Sequence, residues 1–331
     1  MKQELTFVTK VKSLFFALLF GAPLVASAQG IEINAANFPD PYFRNFLLAQ
    51  YYGQDGVLTD EEIEGIISIN VLAKDISNLK GIEYFTALRV LWCGNNRLTA
   101  LDVSKNTALT DLSCYNNQLT ALDVSKNTAL TNLHCSSNQL TALDVSKNTA
   151  LMYLYCDDNQ LTVLDVSGCT ALEWLQCDGN QLTALDVSGC TALTVLHCER
   201  NLLTTLDVSG CVVLRYLYCY NNKIQGASMD ALISSLPQNN TTKEYLLYVY
   251  NPDIFTEGNI CTKTQVAAIK AKGWIPYYGL QDNDPTAITR PITETVEVNA
   301  PVYTISGQKV TGSLKGKKGV YIVGGKKVVV E

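Results

Sequence analysis

The chain has 331 residues and a mass of 36.3 kDa, enough for two ordinary globular domains or one long capped array. A hydrophobic content of 47% and a mean hydropathy of +0.08 exclude wholesale disorder, and a formal charge of -6 argues against a protein that coats nucleic-acid phosphates. Two histidines are too few for chemistry that needs a histidine cluster.

At the start, Lys2, Lys10 and Lys12 accompany an apolar run from Leu14 to Val25, followed by Ala26-Ser27-Ala28. A basic start, a short apolar core and an Ala-x-Ala site describe a secretory signal peptide over residues 1–28. A buried N-terminal helix is the alternative. The apolar stretch falls short of the roughly 20 residues a membrane span needs. The mature chain is expected to begin near Gln29, and with no cysteine before Cys93 no lipid anchor is expected at this cleavage site.

Residues 29–78 read as an N-terminal helical cap. A helix start at Asn37-Phe38-Pro39-Asp40-Pro41-Tyr42 leads an amphipathic helix toward Tyr52, and Thr59 with Glu62 forms a capping box before Ile63. Between them lies the outline of a calcium loop, with Asp55, Gly56 and Glu62 at its fifth, sixth and twelfth positions. Tyr51 and Gly53 occupy the first and third, where oxygen ligands are needed, so no metal is expected.

Residues 79–225 repeat with a period of 21. Cys93, Cys114, Cys135, Cys156, Cys177, Cys198 and Cys219 mark it, and so do Asn96, Asn117, Asn138, Asn159, Asn180, Asn201 and Asn222. One unit runs Leu109-x-x-Leu112-x-Cys114-x-x-Asn117-x-Leu119-Thr-Ala-Leu122-Asp-Val-Ser, the leucine-rich repeat pattern with Cys in one Leu position. A single unit cannot bury its own Leu and Val, so the units must stack. The fold class expected is a leucine-rich repeat solenoid. Its curved parallel sheet lies on the concave face, with short extended or turn segments on the convex face. The predicted ends are α-helical caps and a small β tail. Each Asn is expected to turn the chain and bond backbone groups that the turn leaves unpaired.

A linear ladder of cysteines suits packed free thiols, with disulfides or metal ligation as alternatives. Cys169, Cys190 and Cys211 share the period and replace Asn106, Asn127 and Asn148 of the earlier rungs. Asp102, Asp123, Asp144, Asp165, Asp186 and Asp207 are expected to accept from turn amides near the following Ser, with calcium binding as the alternative.

Residues 226–280 read as a C-terminal cap with helices over 228–236 and 262–272. The second is capped by Thr262 and Gln265 and closed by Gly273. Between them a strand over 244–251 has Leu247, Val249 and Asn251 spaced like a final rung. Residues 281–301, with Pro285 and Pro291 and no apolar period, form a linker. Residues 302–331 read as short strands with a hairpin at Gly324-Gly325. This tail carries +5 and residues 1–28 carry +2, which leaves -13 on 29–301.

With Leu and Cys pointing inward, three columns face out of the sheet. The middle column is Trp92, Ser113, His134, Tyr155, Gln176, His197 and Tyr218. The column before Leu is Val90, Asp111, Asn132, Tyr153, Trp174, Val195 and Tyr216, and the column after Cys is Gly94, Tyr115, Ser136, Asp157, Asp178, Glu199 and Tyr220. These positions vary while the scaffold does not. The candidate ligand-binding residues are therefore Trp92, Tyr115, His134, Tyr153, Tyr155, Asp157, Trp174, Asp178, His197, Glu199, Tyr216, Tyr218 and Tyr220. Their aromatic rings would anchor or stack on a ligand, and Asp157, Asp178 and Glu199 would form an acidic stripe. The bland alternative is that the aromatics merely cover a solvated sheet.

The LxxLxCxxNxLTxLDVS pattern over Leu79 to Ile224 resembles the repeats of bacterial surface proteins of the internalin J group, which share the 21-residue unit and the cysteine ladder. That resemblance implies a secreted or wall-attached protein associated with adhesion to host surfaces. The tail, VYTISGQKV…KGVYIVGGKKVVV, resembles the C-terminal sorting domains of secreted Bacteroidetes proteins. It implies a dedicated outer-membrane secretion machine as a partner and a chain left at the cell surface. A plain hairpin cap is the alternative for the tail.

The function expected is a secreted or cell-surface adhesin whose concave sheet recognises an extracellular protein or glycan of a host, with no nucleic acid, cofactor or lipid anchor. A structural surface or biofilm spacer is the second reading. A hydrolase is the third, because Ser113, His134 and Asp111 can be drawn as a catalytic set on adjacent strands about 4.8 Å apart. Nothing supplies an oxyanion hole, the open sheet excludes little water, and His134 and His197 are three rungs apart, roughly 14 Å at the same spacing. No enzyme is expected.

Overall fold

The computed structural model describes residues 30–250 and 257–278, together with the backbone of four strands between Val302 and Val330. The expected signal peptide and linker lie outside the described residues. Residues 1–160 and 161–331 form two compact units.

The first unit opens with a short antiparallel pair, β1 (Ile31–Glu32) on β2 (Val57–Leu58). Helix α1 (Pro41–Leu48) starts at Pro41 because Asp40 caps it, taking the Tyr42 and Phe43 amides on one oxygen at 2.9 and 3.1 Å. The other oxygen takes Ser77 N, Ser77 Oγ and Asn78 N at 2.8, 2.9 and 3.2 Å, which ties the cap to the start of the repeats. Burial pushes the Asp40 carboxyl up, but the bonds from Ser77, Phe43 and Tyr42 outweigh it and hold the group below its ordinary value. The helix ends four residues short of Tyr52, because turn bonds from Gln50 N to Leu47 O and Gly53 N to Gln50 O divert the chain. Helix α2 (Asp60–Gly65) begins with the expected capping box, in which the Glu62 carboxylate takes both Thr59 N and Thr59 Oγ. That carboxylate is thereby committed to the cap.

Five parallel strands follow: β3 (Ser68–Asn70), β4 (Val90–Trp92), β5 (Asp111–Ser113), β6 (Asn132–His134) and β7 (Tyr153–Tyr155). Their register aligns Ile69, Leu91, Leu112, Leu133 and Leu154, all buried. The second unit repeats the arrangement with β8 (Trp174–Gln176), β9 (Val195–His197), β10 (Tyr216–Tyr218), β11 (Leu246–Tyr250) and β12 (Ile275–Tyr278). Leu175, Leu196, Leu217, Leu247 and Pro276 share its register. Helix α3 (Ala227–Ser235) packs against α4 (Lys263–Ala271), which packs on β12 and carries the Thr262/Gln265 capping box with Gly273 at φ 77° behind it. In the tail, β13 (Val302–Thr304), β14 (Lys309–Val310), β15 (Gly319–Val323) and β16 (Lys326–Val330) form an antiparallel sheet in the order β14-β13-β15-β16. Val323 pairs with Lys326, and the expected turn at Gly324-Gly325 lies outside the described residues.

The repeat asparagines do more than turn the chain. Asn138 Nδ2 donates to Cys114 O in the preceding rung and to Cys135 O and Ser136 O in its own, at 3.1, 3.1 and 3.2 Å, and its Oδ1 takes Leu119 N at 3.0 Å. Asn117 and Asn159 in the first unit and Asn201 and Asn222 in the second make the same contacts. The residue before each is left-handed, at φ 48° to 62°: Asn95, Asn116, Ser137, Asp158, Gly179, Arg200 and Asn221. Asn, Asp and Gly tolerate that conformation best, which accounts for their excess there. Asn251 lies outside the described residues, and the last place in the series is taken from further along the chain. Asn259 fills the place, bonding Cys219 O and Val249 O at 2.8 Å and taking Ile224 N. The long connection after β11 returns it to the site, so no period reveals it.

A second ladder runs behind the first. Asn106 Nδ2 bonds Ile82 O and Phe85 O, and Asn127 Nδ2 bonds Val103 O and Asn106 O, while the side-chain oxygens of both are buried without a partner. In the second unit the equivalent Cys190 and Cys211 thiols reach only Val166 O and Val187 O. All eleven cysteines are free and buried. Burial first, with the neighbouring thiols added for Cys93, Cys135 and Cys198, pushes these groups far up, and Cys114 to about 12, so these four thiols stay neutral. The Asp positions cap turns as expected, each taking the amide of the Ser two residues on, from Asp102–Ser104 to Asp207–Ser209.

Two outcomes follow for stability. Asn138→Ala strands buried backbone groups in two rungs and is expected to cost about 3–5 kcal/mol in denaturant unfolding, whereas Asn127→Cys, which also removes an orphaned oxygen, should stay within about 1 kcal/mol of wild type. Asp40 titrates below its unfolded value, so its stabilisation is present above about pH 4 and lost as pH falls through the folded value. Asp40→Asn should therefore flatten the acid limb of stability against pH.

Candidate binding face

Alternation along each strand sends Leu and Cys inward and places the predicted columns on one face of each unit's sheet. In the first unit Trp92 is 40% exposed and donates Nε1 to Asp111 Oδ1 at 2.9 Å. Tyr115 lies flat on His134, with centroids 4.6 Å apart and planes 14° apart, and Tyr155 leans on the other side of that imidazole at 5.2 Å and 51°. Tyr153 is half-buried beside them. Asp157 accepts from Ser136 Oγ. Burial lowers the His134 pKa, opposed by the nearby Asp111 carboxylate, and raises that of Tyr155.

In the second unit the rings form one continuous stack. Trp174 and His197 are 5.7 Å apart, His197 and Tyr218 3.9 Å, and Tyr218 and Tyr248 4.2 Å, with planes within 20° throughout. Strand register produces the His197–Tyr218–Tyr248 part directly, because these three are successive partners across β9 to β11, whereas Trp174, the register partner of Val195, meets His197 on the diagonal. Burial and the neighbouring Tyr248 push the Tyr218 hydroxyl up to about 12, so it stays a neutral hydrogen-bonding group. Tyr216 and Tyr220 flank the stack, half-buried.

The expected acidic stripe is different from its sequence reading. Asp178 and Glu199 are buried, at 7% and 6% exposure, as are Gly94, Ser136 and Val195, because neighbouring side chains fold over them. Asp178 pairs with Arg200 Nη2 at 2.9 Å, and Glu199 Oε1 lies 3.3 Å from His197 Nδ1. Burial raises the Glu199 pKa despite that histidine, and its Oε2 has no hydrogen-bond partner. Glu199 thus meets the stack at His197, while Asp178 is held by Arg200 and Gln176. Tyr248 and Arg200 were not among the residues singled out from sequence. The Leu247-x-Val249 spacing placed Tyr248 in the middle column, whereas nothing local announced Arg200, which sits in the left-handed turn position.

Asp111, Ser113 and His134 do not form a relay. The Asp111 oxygens take Trp92 Nε1 and Asn132 Nδ2, and the His134 ring is committed to stacking. Among the described residues no group of three or more His, Cys, Asp or Glu could hold a metal ion, and no helix is long and apolar enough to cross a membrane.

A family model for leucine-rich repeats, in two copies, matches residues 86–127. Among solved structures, the functional domain of InlJ from Listeria monocytogenes, which includes a cysteine ladder, is 31% identical with a TM-score of 0.55. The match covers 74% of this chain and 56% of that one, so the chain spans little more than half of the InlJ domain. Internalin C2 of the same organism, 24% identical over 61% of this chain and 92% of its own, has a TM-score of 0.56 and shows the fold alone. So does a leucine-rich repeat protein of Leptospira interrogans, 20% identical over 65% and 61% at a TM-score of 0.50. Comparison with curated proteins gives no match. The chain is a leucine-rich repeat protein, a β-solenoid of 21-residue turns similar to the internalins, with a buried cysteine ladder.

Because the folded His134 titrates below the unfolded value near 6.5, the folded state loses stability as pH falls through that range. His134→Tyr is expected to remove this component, narrowing the stability difference between pH 7 and pH 5 measured by urea unfolding.

Proposed function

We propose that the protein is a secreted or cell-surface binding protein, an adhesin that recognises an extracellular partner through the strand face of its repeats. The observation that carries this reading is the aromatic column in the second unit. Trp174, His197, Tyr218 and Tyr248 sit half-exposed and mutually ordered on a face whose scaffold needs none of them. Rigid aromatics of this kind supply contact area at little entropic cost. The likeness to InlJ supports a surface role, and the signal-peptide pattern at 1–28 supports export. The division into signal peptide, cap (29–78), repeats (79–225), second cap (226–280), linker and tail belongs to the same proposal. The tail would engage an outer-membrane secretion machine and leave the protein at the cell surface.

The stacking geometry favours a protein partner over a glycan. A sugar packs on an open ring face, but the faces of His197 and Tyr218 are taken by their neighbours at 3.9 and 4.2 Å. What the column offers is ring edges and hydroxyls. The buried Glu199 and the buried Asp178, which pairs with Arg200, likewise argue against recognition of a strongly basic patch.

Binding of the mature chain to immobilised matrix proteins, mucin and a glycan panel tests the reading, beside a His197→Ala/Tyr218→Ala variant whose fold is checked by circular dichroism. Saturable binding to a protein, weakened by about tenfold or more in the folded variant, is expected. Undiminished binding by that variant would remove the face from recognition. Absence of any ligand across the panel would favour a spacer role.

A further inference from the structure

The first strand of the parallel sheet leaves half its backbone open. Strand β3 pairs with β4 on one side only, where Ile67 O takes Arg89 N and Val90 N at 2.8 and 3.1 Å and Val71 N donates to Trp92 O at 2.8 Å. In a parallel ladder alternate residues point their peptide groups to opposite sides, so 67, 69 and 71 serve β4 while Ser68 and Asn70 present theirs outward. No described residue bonds those outward groups. Natural sheets usually cover or blunt such an edge. Here a groove of about 390 Å³ runs beside it instead, lined by Phe46, Tyr51, Tyr52, Ile66, Ile67 and the edge residues Ser68 and Asn70. Tyr51 is 83% exposed and Ile67 52%, an unusual cost for side chains of that size beside an open edge.

The surroundings are acidic. Residues 29–78 hold eight carboxylates against two bases, and the helix that leads into the groove carries Asp60, Glu61 and Glu64, all exposed. An open edge supplies main-chain hydrogen bonds, a groove supplies a place for alternate side chains, and a charged rim selects the sign of the partner. We infer that the β3 edge is a second binding site, independent of the aromatic face, that takes an extended lysine- or arginine-bearing peptide strand of a partner protein by adding it to the sheet. The incoming strand would pair with Ser68 and Asn70, set an apolar side chain among Phe46, Tyr52 and Ile66, pack against Tyr51, and place its cations by Glu61 and Glu64.

The test uses the mature chain and a capped nine-residue peptide alternating lysine with valine, followed by fluorescence anisotropy at two salt concentrations. Two control peptides accompany it: one with glutamate for lysine, and one N-methylated at the groups that would face β3. Saturable binding of the lysine peptide, weakened by salt, is expected, with both controls about tenfold or more weaker. Asn70→Pro removes an outward N–H and leaves the β4 bonds alone, and it should weaken binding by a similar factor. Should Asn70→Pro not fold, Glu61→Lys/Glu64→Lys tests the rim at exposed positions and should reverse the preference between the lysine and glutamate peptides. His197→Ala/Tyr218→Ala should bind the peptide as wild type does, which separates this site from the aromatic face. Equal binding of the N-methylated peptide, or none of the lysine peptide, would overturn the inference. So would self-association in sedimentation that Asn70→Pro abolishes, since a second copy would then own the edge.

Discussion

An asparagine amide that bonds two rungs at once is the constraint on which the rest of the structure depends. Every 21 residues the chain must leave a strand and reverse, and the turn would strand carbonyls in a dry interior. Asn138 closes that gap with four bonds spanning the Leu119 amide, the preceding Cys114 carbonyl and its own strand end. Aspartate could not donate and alanine could do neither, so the residue is fixed by chemistry rather than by packing. Because each bond set reaches the preceding rung, the ladder also sets the stacking distance, and the Leu and Cys columns fall into line behind it.

That division of labour frees the opposite face. The inward Leu and Cys are fully buried and alike from rung to rung, so the residues between them can change without disturbing the core. Where they become aromatic, parallel register delivers rings directly over one another. The 3.9 Å approach of His197 and Tyr218 needs no special backbone, only the same position on adjacent strands. Of the buried acids on that face, Glu199 meets the stack at His197 and Asp178 pairs with Arg200.

Much of this was legible in the sequence, and the reason is periodicity. A pattern repeated seven times names the strands, the Asn turns and the Asp–Ser turns, and the two capping boxes are local enough to read directly. What stayed hidden was aperiodic or long-range. Asp40 bonds Ser77 across 37 residues, and Asn259 completes the ladder ten residues beyond Val249, where each repeat Asn stands three beyond its Cys. Outward alternation also overstates exposure, since Asp178 and Glu199 point to the face yet lie buried under larger neighbours. A charge column read from spacing alone therefore does not separate a solvated stripe from buried acids.

The most direct test of the ladder is native-state hydrogen exchange at the leucine amides held by asparagine oxygens, Leu98, Leu119 and Leu140 in the first unit and Leu182 and Leu203 in the second. If the asparagines bind rung to rung, the amides within each unit should exchange together, at the free energy of that unit's global unfolding. Exchange of these amides one by one, through openings well below that free energy, would contradict the account.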